Sequence, residues 1–233
     1  MINILLSNVY VLEDTAQYGT QQAWIWFLIP VVIALAAIAI KIGSSPSPET
    51  RSIVIAGSVA SGKTTLWQQL RNIIPPKDHV LTDEPVPIES FDIKIGDRIV
   101  RIESTKDLGG TDYLFRDYDK LIKEGTFVYF LVDLTRIEDT KNEIRARIQK
   151  IAQIFINNEY KHCGIKLLAT FYDEYASNNN CSKSQAVAYV KQTLEVRTIK
   201  DVKINIDECI LAVNLLDKSD IEIIKNEILN IKK

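Results

Sequence analysis

Apolar positions in this chain fall into unbroken runs and helical stripes, and their alternation predicts an α/β protein. Ile53 to Ala56 form a short apolar strand that runs into a glycine-rich loop and then a helical stretch with Leu66 and Leu70 facing inward. Residues 90–104 alternate in β-type runs around Gly96-Asp97, the pattern of a β-hairpin. FVYFLVDL (127–134), IKLLAT (165–170) and CILAVNLL (209–216) are apolar throughout, as strands covered on both faces must be. Residues 140–156 put Ile144, Ile148, Ile151 and Phe155 on one helical face, with Thr140 and Glu143 as the expected capping box. Residues 184–196 carry Val187, Val190 and Leu194 on one face behind a polar SNNNCS loop, and residues 219–229 form a capped amphipathic helix. The expected architecture is a mostly parallel sheet with helices on both faces and no internal repeat.

One run is too long for a strand. AWIWFLIPVVIALAAIAI, residues 23–40, is uncharged within a wider uncharged stretch from Thr15. As a helix it spans roughly 27 Å, close to the thickness of a bilayer's hydrocarbon core. Trp24 and Trp26 stand at one end, while Lys41 and Arg51 follow the other. This places the positive flank in the cytoplasm. The expected organisation is a lumenal or exterior N-terminus (1–22), a transmembrane signal anchor (23–42), a Gly/Ser/Pro-containing linker (43–50) and a cytosolic domain (51–233). A cleaved signal peptide and a buried core helix are the alternatives. The first lacks a positive n-region, and the second fits poorly with a run that is apolar all round.

The domain opens with chemistry. Gly57, Gly62, Lys63 and Thr64 satisfy G-x-x-x-x-G-K-[ST] between a strand and a helix, the context in which that motif cradles phosphates. Backbone N–H groups and the helix N-terminus face the phosphates, Lys63 reaches the outer ones, and the Thr64 hydroxyl ligates magnesium. Gly57, Ser58, Val59, Ala60, Ser61, Gly62, Lys63, Thr64 and Thr65 are therefore the expected phosphate-side contacts. A relic loop that no longer binds is the bland alternative. Eighteen residues beyond Thr64, Thr82 is the candidate to touch magnesium and the γ-phosphate from a mobile loop; an ordinary turn is its alternative. KDLGGT then offers Asp107 as a magnesium-side carboxylate and Gly110 as a γ-phosphate contact, where a tight turn is the alternative. The following position, usually a water-orienting glutamine, is Thr111, whose shorter hydroxyl predicts slow hydrolysis.

The base should be read after the strand that ends at Thr170. There the chain runs Thr170-Phe171-Tyr172-Asp173 in place of N/T-K-x-D. A carboxylate at Asp173 accepts both N1–H and N2–H of guanine, which adenine does not offer, while Phe171 presents an apolar face to the purine. Asn214, in the loop after the last strand, completes the expected contacts. GTP and Mg2+ are the expected cofactors.

Charge and cysteine content narrow the partners. All 28 Lys and Arg residues lie at or after Lys41, and the remainder is electrically balanced, so the clustered basic charge that nucleic acid requires is missing. The cysteines Cys163, Cys181 and Cys209 lack metal-ligand spacing, which favours free thiols in a reducing compartment.

Together, the single span, the linker, IVIAGSVASGKTTL, VLTDEP, DLGG, FLVDL and LEVRTIK resemble the β subunits of the signal recognition particle receptor, membrane-anchored GTPases close to the Arf family. Arf proteins themselves fit less well, because they carry a myristoyl-acceptor glycine at position two, where this chain has Ile2. The resemblance implies a P-loop small GTPase fold preceded by one transmembrane helix. It also implies a GTP-loaded subunit at the endoplasmic reticulum membrane that docks the receptor's α subunit through its switch loops. A degenerate P-loop scaffold, an Arf-like trafficking protein and a bacterial inner-membrane GTPase are the rival settings.

Overall fold

The structure, a computed structural model, describes residues 48–76, 85–108, 118–160, 164–195 and 209–231. All of them belong to one compact unit, Pro48–Lys233. The expected span at 23–42, the linker up to residue 47, Thr82, Gly110, Thr111 and Cys163 lie outside the described residues. Among the described residues no helix is long and apolar enough to cross a membrane. Among the described residues Cys181 and Cys209 form no disulfide.

Eight strands and six helices alternate along the described chain: β1 (Glu49–Gly57), α1 (Lys63–Leu70), β2 (Val86–Ile88), β3 (Phe91–Ile95), β4 (Arg98–Ile102), β5 (Thr105–Asp107), α2 (Tyr118–Leu121), β6 (Thr126–Asp133), α3 (Ile137–Asn157), β7 (Gly164–Thr170), α4 (Tyr172–Asn179), α5 (Lys183–Leu194), β8 (Ile210–Ala212) and α6 (Lys218–Asn230). The main sheet has the order β3-β4-β1-β6-β7-β8, with only the β3–β4 pair antiparallel. β2 and β5 form a separate two-stranded ladder. Its pairs, such as Val86 with Asp107, keep the register of Phe91 with Ile102, so β2–β3 and β4–β5 make one long hairpin broken at Glu89-Ser90 and Glu103-Ser104.

The central strands β1, β6 and β7 are largely apolar because both faces are covered. Val54 and Ala56 of β1 and Val128, Phe130 and Val132 of β6 point into one core, with Ile144, Ile148, Ile151 and Phe155 of α3 and Val190 and Leu194 of α5. The intervening Ile53, Ile55, Tyr129 and Leu131 point into the other, against Leu66, Trp67 and Leu70 of α1 and Ile221, Ile224 and Ile228 of α6. The alternation follows the two-residue period of a strand. It puts β1, the strand that feeds the phosphate loop, in the middle of the sheet.

Three local expectations need correction. α3 starts at Ile137, three residues before the expected Thr140. Asp133 Oδ1 accepts from the Thr135 N–H (2.9 Å) and hydroxyl (2.7 Å), so the turn is made upstream; the Thr140 hydroxyl donates to Arg136 O (2.9 Å) from inside the helix. The capping box belongs to α5 instead, where Ser182 and Gln185 satisfy each other's backbone N–H groups. The first half of the polar stretch before α5 belongs to helix α4, which buries no residue and so shows no apolar stripe. The last strand stops at Ala212, well short of Leu216.

α6 supplies a direct check on this packing. Ile224 is fully buried while its neighbour Ile223 is 43% exposed. Ile224→Ala should cost about 2–5 kcal/mol in urea unfolding, whereas Ile223→Ala should stay within about 0.5 kcal/mol of the parent.

Candidate functional site

β1 delivers the chain to a loop at the carboxyl end of the sheet, where open α/β sheets place their ligand crevices. Two glycines allow the loop to fold. Gly57 has φ +147°, and a Cβ there would lie 2.6 Å from Leu131 O. Gly62 has φ +93°, and a Cβ would meet Leu215 Cδ1 at 2.7 Å. Backbone conformation disfavours a side chain at both positions, and at Gly57 the Leu131 carbonyl leaves no room for one. Between them Ser58 and Ser61 are buried, Ala60 takes a left-handed φ of 61°, and Val59 is 37% exposed. The Ser61 hydroxyl donates to Ser58 O (2.9 Å), and Leu66 N–H donates to Gly62 O (2.9 Å), which starts α1. Thr65 is half-buried in that first turn.

Lys63 turns back into the loop. Its Nζ donates to Ser58 O (2.6 Å) and lies 3.3 Å from Gly57 O, and the residue is only 6% exposed. Burial pushes the ammonium's pKa down to about 8, against the attraction of Asp107. Beside it the Thr64 hydroxyl donates to Asp107 Oδ2 (2.6 Å). Asp107 is 3% exposed, and its Oδ1 has no hydrogen-bond partner among the described residues. Burial raises this carboxyl above the ordinary range, while the Thr64 hydroxyl and the Lys63 charge oppose the shift. A buried acceptor without a donor costs free energy unless something fills the position, and a hard cation fits an oxygen set of this kind.

Behind the loop stands a residue that the motif reading missed. Arg147 of α3 is 3% exposed, donates to Gly57 O (3.3 Å) and is ion-paired with Glu143 (2.9 Å). The buried Tyr118 hydroxyl is hydrogen-bonded to the Arg147 guanidinium and to the Gly57 backbone. The signal was an arginine inside an otherwise apolar helical stripe, with a glutamate four residues before it.

The base-side residues gather at the ends of β7 and β8. Thr170 is fully buried, with its hydroxyl 3.0 Å from Ser61 O and 3.2 Å from Val132 O; it braces the phosphate loop from the side. Phe171 adopts a left-handed φ of 56° and caps α4, an uncommon conformation for an aromatic residue. Asp173 follows in the exposed first turn of α4. In the loop after β8, three groups of Asn214 are committed to the loop itself. Its N–H donates to Asp220 Oδ2 (2.8 Å), its carbonyl accepts from Asp217 N–H (3.1 Å), and its Oδ1 accepts from Leu216 N–H (2.9 Å). Leu215, next in line, is the side chain that packs on Gly62 and so joins the base-side loop to the phosphate loop.

No family model matches the sequence, and no curated protein does. Among solved structures, the chain is similar to the small GTPase Arl6 (BBS3) from Trypanosoma brucei, solved with the bound nucleotide analogue GppNp. The similarity has a TM-score of 0.49 at 18% identity and covers 78% of this chain and 95% of that one. A likeness this loose says nothing about what the present chain binds.

The lowered pKa of Lys63 sets a pH dependence. Phosphate stabilises the charged ammonium, so the bound-state pKa lies above the ligand-free value of about 8. The contribution of Lys63 to binding is complete below the ligand-free pKa and is lost as pH rises through the bound-state pKa. Titrations of a magnesium nucleoside triphosphate from about pH 7 to about pH 9 should show affinity falling only on the alkaline side. Lys63→Ala should bind at least about tenfold more weakly and lose that alkaline decline.

Proposed function

We propose that this chain is a GTP-binding switch anchored in a membrane by the span at 23–42. The observation that carries the reading is the pairing of two devices at the carboxyl end of the sheet. A strand-loop-helix nest has its lysine buried against the loop's own carbonyls, and a hydroxyl–carboxylate pair, Thr64 and Asp107, leaves one carboxylate oxygen without a donor among the described residues. The nest suits the outer phosphates of a nucleotide, which offer Lys63 stronger acceptors than Ser58 O and Gly57 O. Thr64 and Asp107 suit Mg2+, with Thr82 as the further ligand expected from the sequence. Bound there, the ion neutralises phosphate charge.

On the base side, Asp173 supports guanine over adenine, with Phe171 against the purine face and Asn214 in the neighbouring loop. The fit of the chain to the resemblance noted above extends the reading. The domain at 51–233 acts in the cytosol at the endoplasmic reticulum membrane and tethers a receptor α subunit in its GTP-loaded form. Gly110 contacts the γ-phosphate, and Thr111 makes hydrolysis slow until a partner supplies catalytic groups.

Equilibrium competition between Mg·GTP and Mg·ATP tests the reading. GTP should bind at least about tenfold more tightly than ATP, and Asp173→Ala should remove most of that preference, because a carboxylate–N–H pair is worth about 1.5–3 kcal/mol. Equal binding of both nucleotides would remove the guanine reading. Absence of binding would move a nucleotide-independent scaffold to the front. Without a partner, turnover should be no faster than on the order of 10⁻³ per second.

A further inference from the structure

Beside the phosphate site lies an ion pair that no step above uses. Lys183 is the first residue of α5, and its ammonium pairs with Asp220 in the first turn of α6. The Asp220 side chain is 2% exposed and that of Lys183 is 45% exposed. A cation at a helix N-terminus opposes the helix dipole, so this placement is unfavourable unless a partner compensates for it. The compensation runs through both base-side loops. The second oxygen of Asp220 holds the Asn214 N–H at 2.8 Å, while the Lys183 ammonium also stands 5.6 Å from the centre of the Tyr172 ring. Tyr172 opens α4 between Phe171 and Asp173, and its hydroxyl donates to Cys181 O (3.1 Å), beside the start of α5.

We propose that Lys183 and Asp220 form a clamp that fixes the first turn of α4 and the loop after β8 relative to each other, and thereby set the chain's selectivity for the purine base. The inference rests on the guanine reading of Asp173. Lys183 and Asp220 are positioning residues: one ammonium serves the Tyr172 ring and the carboxylate that anchors Asn214. Phe171 stands where guanine-binding proteins usually carry a lysine, so the loop after β7 lacks that residue's ammonium, and Lys183 brings a cation to it from another helix. Removing the ammonium leaves the buried Asp220 carboxylate with the Asn214 N–H but without its counter-charge, and takes the cation from the Tyr172 ring. The phosphate loop has supports of its own in Thr170, Arg147 and Lys63, and meets the clamped loop through Leu215.

The test uses the full chain and two readouts. The first is the ratio of Mg·GTP to Mg·ATP affinity; the second is hydrogen exchange at the Asn214 amide in nucleotide-free protein. Lys183→Met should lower the GTP preference by about tenfold, with GTP affinity falling more than ATP affinity, and should speed Asn214 exchange by at least about tenfold. Lys183→Arg should keep both at parental values. Asp220→Asn, which retains an acceptor for Asn214 but not the charge for Lys183, should give an intermediate loss of preference. Unchanged preference in Lys183→Met, whether or not exchange accelerates, overturns the proposal while leaving the guanine reading intact. A parent chain without GTP preference overturns the guanine reading and the selectivity claim together, and the exchange readout then still reports whether the clamp holds the loop.

Discussion

The site is organised around one buried charge. Lys63 is 6% exposed, and its ammonium is held by the carbonyls of Ser58 and Gly57 in the loop that precedes it. Desolvating an ammonium is costly, and it persists in this position because carbonyl dipoles, Asp107 and the surrounding polar groups compensate. The loop geometry that aims those carbonyls depends on Gly57, which approaches Leu131 O too closely to carry a side chain, and on Gly62, whose φ of +93° disfavours one beside Leu215 Cδ1. That close approach in turn requires β6 and the loop after β8 to be where the parallel sheet places them. The two cores on either side of β1 and β6 therefore hold the phosphate loop as much as its own residues do.

Charge at this edge is balanced in layers. Lys63 faces Asp107, and behind them Arg147 is paired with Glu143 while it donates to the Gly57 carbonyl. A ligand that draws the Lys63 ammonium outward removes one donor from Gly57 O and leaves Arg147 as the other. The loop thus keeps a donor on its first carbonyl when Lys63 moves, which limits the reorganisation that binding requires. Thr170 gives the same loop a lateral support from β7.

What the sequence revealed and what it hid follow from the range of the interactions. The strand, glycine-rich turn and helix over residues 53–70 were legible because their pattern is local. Strand runs at β1, β6 and β7 were legible because both of their faces are apolar. α4 was hidden because it buries nothing, and Thr140 misled because a capping pattern can also occur inside a helix that begins earlier. Thr170 read as a ligand contact by position, yet its hydroxyl is committed to Ser61 O and Val132 O. Arg147 meets Gly57, and Lys183 meets Asp220, across long stretches of chain, and no local spacing marks such pairs.

The central claim is that the Lys63 ammonium and the Thr64–Asp107 pair are held ready for a magnesium-bound triphosphate. A structure of the chain with Mg2+ and a non-hydrolysable GTP analogue tests it most directly. The account predicts that Lys63 Nζ leaves Ser58 O for a phosphate oxygen and that the Thr64 hydroxyl leaves Asp107 for the metal. Lys63 still bonded to Ser58 O, with Thr64 still donating to Asp107 and the nucleotide elsewhere, would contradict it.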